Sequence, residues 1–150
     1  MPNGRYEVAG LVPASSDLTP NRAAQHFSSL RFSQYQQGQP LYLNEPVRAE
    51  PLSDQGEAEP TGFRVWYGTW SVTAWLDSGP DVLDYSHYLS EQADLPAPPE
   101  VIAGRTCRLD VSSDPDDPDF DNSDRFTEYT DQLRDRFGVF GRDRVNGRWW

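Results

Sequence analysis

The sequence predicts an α+β fold: an antiparallel sheet with helices on one face, its elements in the order βαββαβ-αβ. Three observations lead there. The mid-chain ribbon FRVWYGTWSVTAWL, residues 63–76, alternates with period two in β-branched and aromatic residues, as a strand with one face on a core does. Three other segments repeat apolar residues at helical spacing. The thirteen prolines fall mostly between these segments, where they mark irregular connections.

Residues 5–12 (RYEVAGLV) form the first strand, ended by Pro13, with Ser15, Ser16 and Asp17 supplying turn and capping groups. Thr19-Pro20 pairs an N-cap hydroxyl with proline at the first helical position. Ala23, Phe27 and Leu30 then carry a helix from Pro20 to about residue 32. Residues 41–49 (LYLNEPVRA) are a strand, which Pro46 confines to an edge or a bulge. Residues 50–62 are acidic and breaker-rich, the flexible surface loop of the chain.

The ribbon 63–76 follows as one central strand. From residue 66 its even positions, Trp66, Gly68, Trp70, Val72, Ala74 and Leu76, are almost wholly apolar. Ser78-Gly79-Pro80 opens a second helix with Val82, Tyr85, Leu89 and Ala93 as its buried stripe, and LPAPPE at 95–100 stops it. Residues 101–111 resume strand character. A third helix over 122–137 buries Phe126, Tyr129, Leu133 and Phe137, and Gly138 ends it. The last stretch is a strand or hairpin with Asn146-Gly147 as its turn and Trp149-Trp150 tucked against the sheet. The first six elements match the split βαβ, ferredoxin-like arrangement, with the last helix and strand extending it.

At 150 residues the chain is read as one domain, burying about 70% of its unfolded surface, so it needs neither disulfide nor metal to fold. A lone cysteine, Cys107, and a start without a signal peptide point to a reducing cytoplasm. No apolar run is long enough to span a membrane. A net charge of −11 excludes a nucleic-acid backbone as the main partner, because phosphate contacts need clustered cations, and it would steer the protein toward a basic one. All thirteen cations are arginines. With no lysine, Schiff-base and phosphate-loop lysine chemistry is excluded outright. There is also no Gly-rich phosphate loop, no G-x-S-x-G and no dinucleotide fingerprint.

Four constellations can carry chemistry. In DPDFDNSDRFTE, residues 117–128, Asp117, Asp119 and Asp121 fall at positions 1, 3 and 5 of a twelve-residue calcium loop and Glu128 at position 12. Over these residues alone the loop resembles an EF-hand loop, which implies Ca2+ bound by the three aspartates and a bidentate glutamate. Asn122 stands where that family has glycine, Asp124 where it has an aliphatic residue, and a strand precedes the loop. The same Asp, Asn and Ser residues also serve as ordinary helix caps. Cys107, with His26 or His87 as base, would be a nucleophile, but it sits between Thr106 and Arg108 on the apolar parity of Leu109 and Val111, the place of a small buried hydrophobe. Asp77, at the end of the central ribbon, is the carboxylate placed for acid–base work. Last, Tyr67 and Trp75 on the less apolar face, with Asp114 and Asp116 of the aspartate-rich loop, form a candidate partner-binding set.

The expectation is a non-enzymatic binding protein for a basic protein partner, resembling in size and charge the immunity proteins of bacterial competition systems. A calcium-binding module using residues 117–128 and a small hydrolase or transferase are the alternatives.

Overall fold

The computed structural model of the chain describes residues 6–36, 38–54, 58–114, 123–144 and 147–149. Its elements are β1 (Glu7–Val12), α1 (Pro20–Ser28), β2 (Arg31–Gln36), β3 (Gln39–Pro46), β4 (Arg48–Leu52), β5 (Gly62–Tyr67), β6 (Trp70–Asp77), α2 (Pro80–Ser90), α3 (Pro99–Ala103), β7 (Cys107–Asp114), α4 (Ser123–Phe137) and β8 (Phe140–Asp143). Six strands make one antiparallel sheet in the order β4-β5-β6-β7-β1-β8, while β2 and β3 pair separately as a ribbon. The α+β class is therefore as the sequence predicts. The split βαβ order is not adopted: every neighbouring pair in the sheet is antiparallel, so the described strands contain no parallel βαβ unit.

The ribbon 63–76 is a hairpin, not one strand. Gly68 and Thr69 form the turn between β5 and β6, with Gly68 at φ +67°, the backbone that a two-residue II′ connection asks of its first turn position. The turn reverses the parity of burial. Phe63, Val65 and Tyr67 face inward on β5, and their cross-strand partners Ala74, Val72 and Trp70 face inward on β6. A cap holds the start of α1, where Arg22 N–H donates to Thr19 Oγ1 at 3.1 Å. The helix stops at Ser28, earlier than predicted: the Ser29 hydroxyl donates to the His26 carbonyl at 2.6 Å, a local bond that competes with further helix, and the Ser28 hydroxyl is drawn to the Ala49 carbonyl on β4. The predicted strand at 41–49 divides between β3 and β4, and residues 50–52 of the expected loop belong to β4; residues 55–57 lie outside the described set. Residues 99–103, read as a stop and the start of a strand, are helical, with Pro99 at the helix start.

Helices cover both faces of the sheet rather than one. On the inner face α1 and α4 bury Ala23, Phe27, Phe126, Tyr129, Leu133 and Phe137 against Val8 and Val12 of β1 and the inward rows of β5, β6 and β7. Phe27 stacks on Tyr129 with ring centroids 5.2 Å apart, and Tyr6 stacks on Phe126 at 4.6 Å. The α4 end is an αL cap: Gly138, at φ +74°, donates its N–H to the Arg134 carbonyl at 2.9 Å. On the outer face α2 and α3 build a second, smaller core of Leu11, Leu89 and Ile102, with Tyr85, Phe140 and Trp149 packed around it. Arg105 locks this layer to the sheet. Its buried guanidinium donates to the carbonyls of Val101, Leu11 and Gly138, and its Cζ lies 4.8 Å from the Phe140 ring centre. Trp149 bridges Arg142 in antiparallel register and is half-buried, as a tucked last strand requires; Trp150 is not among the described residues.

Candidate functional site

Strand register maps the outer face directly, because residues opposite one another on paired strands share a face. Asp77, Arg108, Leu11 and Phe140 form the row beneath α2 and α3. The next row holds Leu52, Gly62, Trp75 and Asp110; beyond it come Glu50, Arg64, Thr73 and Ser112, then Arg48, Trp66, Ser71 and Asp114. No described helix covers these last three rows.

Arginine–aromatic stacking organises them. The guanidinium carbons of Arg48 and Arg64 lie 5.2 and 5.1 Å from the Trp66 ring centre. Arg64 is held from below by two hydrogen bonds to Ser71 Oγ, at 3.0 and 2.9 Å, and reaches Asp114 at 3.6 Å. Trp75 lies flat over the neighbouring strand because Gly62 has no side chain: a Cβ there would sit 2.5 Å from Trp75 Cε3. Nearest α2, Arg108 bridges Asp77 at 3.3 Å and Asp110 at 3.1 Å, and its Cζ stacks 5.1 Å from the Tyr85 ring centre. Arg144 closes on Asp110 from the other side.

Beside this face stands an acidic ridge. Residues 77–104 hold six carboxylates and no arginine: Asp77, Asp81, Asp84, Glu91, Asp94 and Glu100. Among the described residues only Asp77 of these is ion-paired. The large apolar side chains exposed among the described residues belong to the same part of the chain, namely Trp75 just before it and Leu83, Tyr88 (59% exposed) and Val101 within it. Acidic and exposed apolar groups thus share one stretch of chain.

The residues singled out from sequence separate under this geometry. Trp75 and Asp114 lie on the outer face, as a partner-binding pair requires, but Tyr67 does not. The hairpin turn puts it on the inner face, 1% exposed against Phe32 and Trp70, and burial pushes its phenol well above the usual range, with Glu128 adding to the effect. Its place is taken by Trp66, whose parity the one-strand reading had reversed. Asp116, like Asp117, Asp119 and Asp121, lies outside the described residues. Glu128 sits half-buried on α4, where Oε1 accepts from Gln132 Nε2 at 3.0 Å and Gln132 Oε1 in turn meets His26 Nε2 at 2.7 Å. Among the described residues no group of three or more His, Cys, Asp or Glu side chains is placed to hold a metal ion.

Cys107 packs against the inner core, and burial, aided by Asp77, pushes its thiol above the ordinary range; a thiol so placed is a poor nucleophile. Asp77 is committed at both oxygens, Oδ1 accepting the Gly79 N–H at 3.0 Å and Oδ2 meeting Arg108. A polar groove between α1 and α4, lined by Asp17, Arg22, Gln25, His26, Ser29 and Arg136, is open to solvent. Its two arginines are already satisfied by Asp17, whose carboxyl the Arg136 hydrogen bonds hold below the usual carboxylate range. The ridge escaped the sequence analysis, although an arginine-free run of forty residues, 65–104, in a chain with thirteen arginines was a legible signal. No protein-family model matches the chain, nor does any curated protein or solved structure.

Proposed function

We propose that the protein is a non-enzymatic binding protein that docks a basic macromolecular partner on the α2–α3 ridge and the sheet face beside it. The observation that carries this is the segregation of charge: more than half of the net −11 comes from residues 77–104, under a fifth of the length. A one-signed field of this kind raises the encounter rate with a cationic surface and repels acidic ones. Trp, Tyr and Arg side chains, the types that dominate interface energetics, lie on it in Tyr88, beside it in Trp75, and further along the same sheet face in Arg64, Trp66 and Arg48. An acidic protein that neutralises a basic toxin, in the manner of immunity proteins, is the specific form of this reading, by analogy of size and charge. No comparable observation favours the calcium-loop or hydrolase alternatives.

Panning a random-peptide display library against the immobilised protein tests the reading. Enriched peptides should be rich in Arg and Lys, their affinity should fall as salt rises, and it should fall again in the Asp81→Asn, Asp84→Asn, Glu91→Gln variant. Enrichment of peptides without net positive charge, or binding indifferent to those substitutions, rejects it.

A further inference from the structure

The described tryptophans differ in what covers their rings. Trp70 is buried among Tyr6, Tyr67 and Phe126. Trp66 carries two guanidinium groups, and Trp149 carries one, that of Arg142, 5.7 Å from its ring centre. Trp75, 37% exposed, carries none among the described residues. It lies flat on the Gly62 backbone, so one π face is spent on the strand beneath and the other points outward. Its place borders the acidic ridge. Asp110 is its partner across β7, Asp77 follows two residues later on the same face, and the chain then runs straight into α2 with Asp81 and Asp84. Asp110 and Asp77 are already paired with Arg108 and Arg144, so the acids open to an incoming cation are Asp81 and Asp84, which pair with no arginine among the described residues. A flat indole next to the start of that helix is complementary to a planar cation: the guanidinium can stack on the ring while its edge turns toward those acids. An ammonium group gains less there, being compact and strongly hydrated.

We infer that Trp75 is a stacking platform for an arginine side chain of the basic partner, and so the residue by which this surface prefers arginine over lysine. This rests on the docking reading above and sharpens it from a charge preference to a chemical one. The alternative occupant of an exposed flat tryptophan, a sugar ring, would not depend on the ridge carboxylates.

Titration with oligoarginine and oligolysine peptides of equal length, followed by calorimetry, decides it. The wild-type protein should bind oligoarginine more tightly. Trp75→Leu, which keeps an apolar cover over Gly62 but removes the π face, should weaken oligoarginine roughly two- to fivefold and leave oligolysine nearly unchanged, erasing the difference. Trp75→Phe should restore part of it. Neutralising Asp81, Asp84 and Glu91 should weaken both peptides alike. An arginine preference that survives in Trp75→Leu, or is absent from the wild type, overturns the platform while leaving the docking surface standing. Failure of both peptides to bind, or tight binding of a neutral oligosaccharide that Trp75→Leu abolishes and the acid substitutions do not affect, overturns both.

Discussion

The two faces of the six-stranded sheet are built on opposite plans. The inner face is sealed by α1 and α4 over a continuous set of rings, with Phe27, Phe63, Trp70, Phe126 and Tyr129 each 2% exposed or less. The outer face is divided. One end carries α2 and α3 on a small core around Leu11, Leu89 and Ile102, and the rest holds arginines, tryptophans and carboxylates bound to one another in the plane of the sheet. Cohesion therefore resides on one side, and the groups suited to recognition on the other. Such a division lets the outer surface change without unfolding the protein.

Substitutions on the two sides should separate cleanly. Trp70→Ala should cost about 3–5 kcal/mol and unfold the whole sheet, as loss of a fully enclosed aromatic does. Leu89→Ala, in the smaller cluster, should loosen α2 and α3 locally, so that hydrogen exchange speeds up in residues 80–103 while β5 and β6 stay protected. Equal loss of protection on both faces would show the layers to be one cooperative unit.

Alkali should act through the inner face alone. Burial holds the phenols of Tyr67 and Tyr129 above their ordinary value of 10.0. Because the folded state keeps protons that the unfolded state releases, their contribution is complete below pH 10 and is lost as pH climbs past it. Tyrosinate absorbance should rise late and together with the loss of near-ultraviolet circular dichroism. Early ionisation of all seven tyrosines in a folded protein would contradict the burial.

The smallest effect belongs to the outer rows. Arg48→Gln removes one of the two guanidiniums on Trp66 and should cost no more than about 1 kcal/mol in thermal unfolding, since the stack is exposed and Arg64 remains. A larger loss would mean that the outer rows contribute to cohesion after all.

The inner face was the more legible side in the sequence. The stripe Phe126, Tyr129, Leu133, Phe137 was visible as helical spacing, and all four are buried; Thr19-Pro20 and Gly138 marked real helix ends. The ribbon 63–76 failed at one point. A fixed parity was imposed on it, whereas inward residues are odd up to Tyr67 and even from Trp70. That switch is itself the signature of a two-residue turn, and Gly68 stood at the switch. Pro99 misled in the other direction, read as a breaker where it begins α3. The outer site was less legible because it is assembled by register. Nothing local links Arg48 to Trp66, or Gly62 to Trp75, until β4, β5 and β6 are aligned.

The place of β1 in the strand order has a consequence for how the chain assembles. The run β4, β5, β6 closes through neighbouring segments and can zip early, but β1 finds both of its partners only at the far end of the sequence, Val8 opposite Val111 on one side and Asp143 on the other. Such long-separation pairings slow folding, since the loop entropy is lost before the contacts are gained. A nascent chain emerging from the ribosome therefore carries β1 without a mate until β7, about a hundred residues later, has been made. That unsatisfied strand edge, rather than the tryptophan hairpin, is where a chaperone has most to protect.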